Sequence, residues 1–297
     1  MDGFQKAIFK TLIYADIFDY PLSAEEVLRF LIASRNIKPS SVQKALSLIN
    51  ADLKLIETED DFYFLKGRGE IVELRKKREK ISLKKLEIAK KVAKKLKLIP
   101  TIKLIGVTGA LAMRNSEEDD DIDFLIITSK NRLWLTRILA LLLIEVLGKR
   151  RKPDDPNVKD KICPNIFLDE NHLALPKKER NLFTAHEICQ MKVLWEKDNT
   201  YKKFLWENRW VKEFLPNAIP NFKFKIVSCK FSFKILNFVF DFLEKLAFKI
   251  QFAYMRPKMT KEKVAEGFAF FHPKDVSRRV LEKYVRKSIK MGLNYEL

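Results

Sequence analysis

The chain has 297 residues, which is long enough for two or three domains and a sizeable core. Its 47% hydrophobic and 33% charged residues are typical of a folded soluble protein and exclude an intrinsically disordered one. The net charge of +19 favours polyanionic partners such as nucleic acids, nucleotides or an anionic membrane surface. Three widely spaced cysteines form neither a disulfide framework nor a zinc pattern, which predicts a reducing, cytoplasmic location.

Residues 1–66 predict a small, helix-rich module that ends in a β-hairpin. Helical spacing of apolar residues predicts a first helix at 4–18, a second beginning at Ser23 and a third after Pro39. Two short strands at 53–65 flank an acidic turn. Three helices followed by a hairpin is the order of a winged helix. The third helix has one lysine and no arginine, so we expect this module to mediate contacts within or between chains rather than to bind DNA.

Residues 67–99 predict a basic, amphipathic linker helix. Residues 66–97 contain fourteen lysines and arginines against four glutamates. Such a helix can bind the backbone of a nucleic acid through the release of counterions. It has no aromatic side chain to stack on bases, so sequence-specific recognition is not expected. The alternatives are a solvated linker face and attachment to an anionic membrane surface.

The predicted fold is α+β, with a small mixed sheet and flanking helices in residues 100–175. Strands are predicted at 102–107, 121–128 and 162–168, with helices between them and on one side of the sheet. Residues 176–297 are predicted to be a nearly all-helical C-terminal domain, including one helix at 179–195. Charged residues interrupt both long apolar segments of the chain, so no membrane span is expected.

The stretch at 102–128 combines a glycine turn with a pair of aspartates. Thr108 and Gly109 follow the first strand, and a turn into a helix presents backbone N–H groups to an anion. Asp121 and Asp123 begin the next strand, whose alternation places both carboxylates on one face. Paired carboxylates bind hard cations such as Mg²⁺ through oxygen. Together these features predict a site for a nucleoside triphosphate and a metal ion.

These residues resemble the motif of the polymerase-β-type nucleotidyltransferase superfamily. The motif is a glycine turn, here Thr108-Gly109-Ala110, then Asp-x-Asp, here Asp121-Ile122-Asp123, and an apolar strand. The resemblance covers roughly residues 100–170. It implies a nucleotidyltransferase-like fold, an NTP substrate and catalytic Mg²⁺ or Mn²⁺. It also implies that residues 108–110 bind the nucleotide, and that Asp121 and Asp123 are the catalytic metal ligands.

Two positions depart from the superfamily motif. Ala110 stands where the family most often has serine or glycine. The family has a third acid on a later strand, expected here at 162–169, where Asn165 lies within the strand and Asp169 ends it. The resemblance therefore implies that Asp169 is the third catalytic carboxylate and that Asn165 lies at the nucleotide.

The function expected from the sequence is Mg²⁺-dependent transfer of a nucleoside monophosphate from an NTP to a hydroxyl acceptor, with RNA or protein as candidates. The alternative is a regulatory protein that binds a nucleotide or a nucleic acid after losing its catalytic activity. The position of Asp169 discriminates between them, because a carboxylate more than about 8 Å from the aspartate pair cannot share a two-metal site. Oligomeric state and nucleotide preference are left open.

Overall fold

The computed structural model describes residues 2–34, 55–152, 155–221, 234–271 and 276–293. Its N-terminal part contains two helices and a small antiparallel sheet with the strand order β1-β3-β2. These elements are α1 (Gly3–Asp16), β1 (Leu22–Ser23), α2 (Ala24–Arg29), β2 (Ile56–Glu59) and β3 (Phe62–Leu65). The predicted third helix, after Pro39, lies outside the described residues, so the winged-helix interpretation stays a prediction.

The rest of the chain forms a six-stranded mixed sheet with flanking helices, which confirms the predicted α+β class. The strand order is β7-β4-β5-β6-β9-β8; β5 and β6 run parallel and the other neighbouring strands are antiparallel. The elements are α3 (Glu70–Leu96), β4 (Ile102–Val107), α4 (Gly109–Ala112), β5 (Ile122–Thr128), α5 (Leu133–Val146), β6 (Ile162–Asp169), α6 (Leu182–Gln190), β7 (Lys192–Glu196), α7 (Thr200–Glu207), α8 (Lys234–Met255), β8 (Lys263–Ala265), β9 (Phe268–Phe270) and α9 (Val276–Lys290).

The prediction that residues 176–297 are nearly all helical is wrong at three strands. The helix predicted at 179–195 ends at Gln190, and β7 follows it and pairs with β4. The β8–β9 hairpin joins the opposite side of the sheet through β6. Each segment gains backbone hydrogen bonds from a sheet edge, which local periodicity does not reveal. The sheet therefore draws strands from both sides of residue 175.

Helices cover both faces of the sheet, whereas the sequence predicted helices on one side. Alternate residues of β5 point to opposite faces: Ile122, Phe124 and Ile126 pack with α3, α5 and α8. Leu125 and Ile127 pack with α1, α6 and α9 on the other face. Burial of each of these apolar side chains stabilises the fold by about 1.5–3 kcal/mol. Asp123 follows the same alternation and points to the face that α1 and α6 cover.

No helix among the described residues is both long and apolar enough to cross a membrane. This agrees with the prediction made from the charges that interrupt the two long apolar segments.

Candidate functional site

The glycine turn lies directly beside the second of the two aspartates. The Thr108 N–H donates to the Asp123 backbone carbonyl at 3.2 Å, which ties the end of β4 to the start of β5. Gly109 has φ +60°, a left-handed conformation in which a side chain is strained. A Cβ at this position would lie 3.5 Å from Asp123 Oδ2. The backbone of Gly109 therefore lies against the carboxylate, and exposed Ala110 follows it.

The helix after the turn is a single turn, α4, of four residues. Its macrodipole is accordingly small. What it offers to an anion is the set of N–H groups in its first turn, which have no carbonyl partner within the helix.

The two aspartates point to the same face of the sheet, as strand alternation predicts. Asp121 immediately precedes β5 and Asp123 is its second residue, whereas Ile122 between them is fully buried on the opposite face. One ligand atom each from Asp121, Asp123 and Cys163 lies within 4.8 Å of the others. Cys163 is there because the parallel register of β5 and β6 sets it opposite Asp123. These atoms are close enough to surround one cation.

Asn165 lies in the same site, two residues along β6 from Cys163, and β6 has a bulge at this position. The register of β6 against β5 advances from Pro164 to Ile166, so Asn165 is the extra residue. Its Nδ2 donates to Asp123 Oδ1 at 2.6 Å. Its Oδ1 is buried and has no hydrogen-bond partner among the described residues. An unpartnered buried amide oxygen beside two carboxylates is a further oxygen available to a cation.

Arg151 is the cation nearest to the aspartate pair. Its Nη1 lies 2.8 Å from Asp121 Oδ2 and 3.4 Å from the Cys163 Sγ. The backbone holds it in place, since the Arg151 N–H donates to the Ile162 carbonyl at 3.0 Å. Arg151 therefore neutralises Asp121 from the side of β6 and leaves Asp123 without an ion pair among the described residues.

Burial and crowding by acids perturb the protonation of the site. Burial first, then the charges of Asp121 and Glu187, raise the pKa of Asp123 to about 8, while Arg151 opposes the shift. Burial, followed by the charges of the two aspartates, raises the pKa of the Cys163 thiol to about 12. The other donors beside this thiol are two carboxylates and an amide oxygen, a set of oxygens that suits a hard cation.

A cavity of about 1660 Å³ opens from the glycine turn and Asp123 toward α1 and α6. Glu187 on α6 lines it, and burial raises the pKa of this carboxyl to about 7. Tyr14 on α1 also lines it, stacked on the His186 ring at 4.1 Å. Burial lowers the pKa of His186 to about 3, so the imidazole is neutral. Apolar and aromatic side chains form part of the cavity wall, and its carboxylates include those of Asp123 and Glu187.

The prediction that Asp169 is the third carboxylate of the site is wrong. Asp169 pairs with Thr128 at the far end of β5, six residues along β6 from Cys163. At about 3.3 Å per residue, this places Asp169 on the order of 20 Å from the aspartate pair. Its carboxylate accepts hydrogen bonds from the backbone N–H groups of Asn131 and Asn171 and contacts His172 Nδ1 at 2.7 Å. Asp169 instead stabilises the turns at that end of the sheet.

The basic helix is less available to a polyanion than its sequence indicates. Among the described residues, six of the fourteen basic residues at 66–97 take part in ion pairs: Arg68, Arg75, Lys76, Arg78, Lys85 and Lys90. Lys85 is buried, and its Nζ donates to the carbonyls of Glu118 and Asp120 and contacts Asp160 at 2.9 Å. These contacts hold the loop that leads to Asp121. Part of the basic charge therefore positions the site.

Sequence reasoning missed three residues of the site: Cys163, Arg151 and Glu187. Cys163 precedes Asn165 by two positions on a predicted strand, so alternation could have indicated it. Glu187 is the one acid of helix α6, which also carries Thr184, His186 and Gln190, so the sequence around it gives only a weak signal. Arg151 belongs to a basic run after α5, and nothing local distinguishes it from its neighbours.

No family model, curated protein or solved structure matches the chain.

Proposed function

We propose that the chain is a Mg²⁺-dependent nucleotidyltransferase of the polymerase-β type, which transfers a nucleoside monophosphate from an NTP to a hydroxyl group of an acceptor. The observation that carries the proposal is the contact between the Gly109 turn and Asp123, with Asp121 on the same face and the cavity opening beside them. A phosphate-binding turn and paired carboxylates are the two parts such chemistry needs.

The residues present fit a hard cation. Asp121 and Asp123 offer carboxylate oxygens within 4.8 Å of one another, and Asn165 offers a buried oxygen without a partner. Mg²⁺ prefers oxygen and keeps several waters, so two carboxylates suffice. Mn²⁺ would bind the same donors. When bound, the ion supplies charge neutralisation on the triphosphate.

The chain's own residues bind and orient the substrates in this proposal. The turn at 108–110 binds the phosphates through the backbone N–H groups of Gly109 and Ala110, because that of Thr108 already donates to Asp123. Such binding requires no side chain and therefore tolerates Ala110. The acceptor occupies the cavity, where the Glu187 carboxylate takes the proton of its hydroxyl. The acceptor oxygen then forms a bond to the α-phosphorus, the bond from that phosphorus to the β-phosphate oxygen breaks, and pyrophosphate leaves. A carboxyl with a pKa near 7 is suited to accept a proton at neutral pH.

A second candidate function is nucleotide binding without turnover, which the distance of Asp169 from the aspartate pair, on the order of 20 Å, favours. Asn165 and Cys163 occupy the β6 positions beside the aspartates, and neither supplies a carboxylate. Arg151 already neutralises Asp121. A regulatory protein that binds a nucleotide and releases it unchanged would need no further acid.

The proposal is tested by incubating the purified chain with NTPs labelled at the α-phosphate, Mg²⁺ or Mn²⁺, and either RNA or the small-molecule fraction of a cell lysate. We expect label to appear on an acceptor with the wild type, and transfer to fall by at least about 100-fold with Asp123→Asn and with Glu187→Gln. Asp119→Asn is the matched control, because Asp119 is an exposed acid of the same cluster outside the site.

Equal label transfer by Asp123→Asn and the wild type would overturn the assignment. Tight, Mg²⁺-dependent NTP binding by the wild type with no transfer to any acceptor fraction would support the binding protein instead. Loss of transfer in Asp119→Asn would show that the readout reports surface charge rather than the site.

A further inference from the structure

The outer faces of α5 and α8 form a continuous apolar surface, which we call the α5–α8 face. On this face eleven large apolar side chains are more than one-third exposed: Ile138, Leu139, Leu142, Val146, Phe238, Val239, Phe242, Leu243, Leu246, Ile250 and Tyr254. Exposed apolar patches of this kind mark a site of interaction with a partner or a membrane.

Specific contacts between the two helices fix the outward direction of this face. The buried Glu244 carboxylate on α8 accepts hydrogen bonds from the backbone N–H groups of Trp134 and Leu135, at 2.6 and 3.0 Å, and so caps the start of α5. One turn further along α5 and two turns further along α8, Arg137 donates to Gln251 at 2.6 Å. The pairs advance in the same direction on both helices, so the helices run parallel. Rotating α8 to bury its outer face would break both contacts.

The charges around the face are positive. Lys245 and Lys249 are exposed on α8, one turn apart and next to Phe242 and Leu246 on the helix surface. The neighbouring acids are neutralised: Asp241 pairs with Arg132 at 2.5 Å, and Glu145 pairs with Lys152 at 2.9 Å. Neither lysine has an ion pair among the residues that the structure describes. An apolar stripe bordered by such lysines is the pattern of a helix that lies in the surface of an anionic membrane.

We propose that the α5–α8 face docks this protein onto an anionic lipid surface. α8 has 22 residues and is therefore about 33 Å long, which suits a helix that lies flat in the headgroup region. A second copy of the chain fits less well, because a two-fold contact through this face would bring the same lysines against each other. The surface lies outside the candidate nucleotide site, so the proposal does not depend on the proposed function.

The experiment is co-sedimentation of the full chain with vesicles of phosphatidylcholine alone and of equal parts phosphatidylcholine and phosphatidylglycerol. We expect binding to the anionic vesicles and much less to the neutral ones. The double variant Phe242→Ser/Leu246→Ser should weaken binding by at least about tenfold, because two inserted apolar side chains are lost. Lys245→Gln/Lys249→Gln should weaken it by roughly 25-fold, about fivefold for each lysine.

Two controls separate this face from the general charge of the chain. Ile289→Ser removes an equally exposed apolar side chain on α9 and should leave binding unchanged. Lys91→Gln/Lys95→Gln removes the same charge from exposed positions on α3 and should weaken binding far less than the pair on α8. Circular dichroism of each variant checks that it is folded.

Three results would overturn the proposal. One is equal binding of the wild type to neutral and anionic vesicles, or to neither. Another is an effect of the α3 lysine pair as large as that of the α8 pair. The last is a dimer in light scattering that Phe242→Ser/Leu246→Ser converts to a monomer, which would assign the face to a second copy.

Discussion

Two buried carboxylates at opposite ends of neighbouring strands have opposite surroundings. Asp169, at the end of β6, accepts hydrogen bonds from two backbone N–H groups and contacts the His172 ring. Asp123, at the start of β5, has one side-chain donor, Asn165, and three acids that raise its pKa. A carboxylate supplied with donors stabilises the fold, whereas a crowded one costs stability until a ligand compensates. The difference indicates which end of the sheet serves function.

The largest expected loss of stability is at Asp169, the carboxylate that is supplied with hydrogen-bond donors. Asp169→Ala should lower the free energy of unfolding by about 3 kcal/mol, because it leaves two backbone N–H groups and an imidazole without their acceptor. Urea denaturation measures this. Asp119→Ala, at an exposed acid, should stay within about 0.5 kcal/mol of the wild type. A similarly small effect of Asp169→Ala would contradict the description of Asp169 as a carboxylate that stabilises the fold.

At Asp123, which is crowded by other acids, we expect a substitution to increase stability rather than to decrease it. Asp123→Asn should raise the free energy of unfolding by at least about 2 kcal/mol at pH 8 in EDTA; the full rise in pKa would correspond to about 5 kcal/mol. The folded state raises the pKa of Asp123 from its ordinary value, about 3.9, to about 8, so the wild type loses stability as the pH rises between these values. The asparagine variant cannot ionise, and its advantage should vanish near pH 4. Urea denaturation across this pH range tests both the sign and the slope.

Adding Mg²⁺ to the urea denaturation gives a second comparison of the wild type with Asp123→Asn. It should stabilise the wild type and leave Asp123→Asn nearly unchanged, because an ion that binds only the folded state adds its binding free energy to folding. Destabilisation of the metal-free protein by Asp123→Asn, or a difference that does not change with pH, would contradict the description of Asp123 as crowded.

A smaller gain in stability is expected from substituting Glu187, another acid of the cavity. Glu187→Gln should raise the free energy of unfolding by at least about 1 kcal/mol above pH 7, because burial raises the pKa of Glu187 to about 7 and ionisation then costs stability; the full rise in pKa would correspond to about 3 kcal/mol. In a protein that already carries Asp123→Asn, Glu187→Gln should raise the free energy of unfolding by less than it does alone. The reason is that the repulsion between the two carboxylates has already been removed. Additive gains in this double-mutant cycle would show that the two carboxyls act independently.

The elements that sequence reasoning placed correctly are those set by local chemistry. The helix start at Ser23 was predicted, and the structure shows a capping box there with Glu26. The strands around the site were predicted from apolar runs bounded by turns, and the observed β4, β5 and β6 agree within about two residues. The three strands it missed are short segments after residue 176 that depend on a sheet edge assembled from distant parts of the chain.

Sequence by itself determined the half of the candidate site that lies on β4 and β5. A glycine with positive φ and an alternating Asp-x-Asp are local properties, so Gly109, Asp121 and Asp123 could be grouped before any fold was known. The resemblance also predicted Asn165 at the site, and tertiary structure decided the remaining positions. The parallel register of β5 and β6 brings the amino end of β6, with Cys163 and Asn165, to the aspartates and carries Asp169 away from them.

Packing of α6 across the sheet adds Glu187, and the chain after α5 adds Arg151. The physical reason is that strand pairing and helix packing join residues far apart in sequence, and a strand's own pattern does not specify which end of its neighbour it will meet.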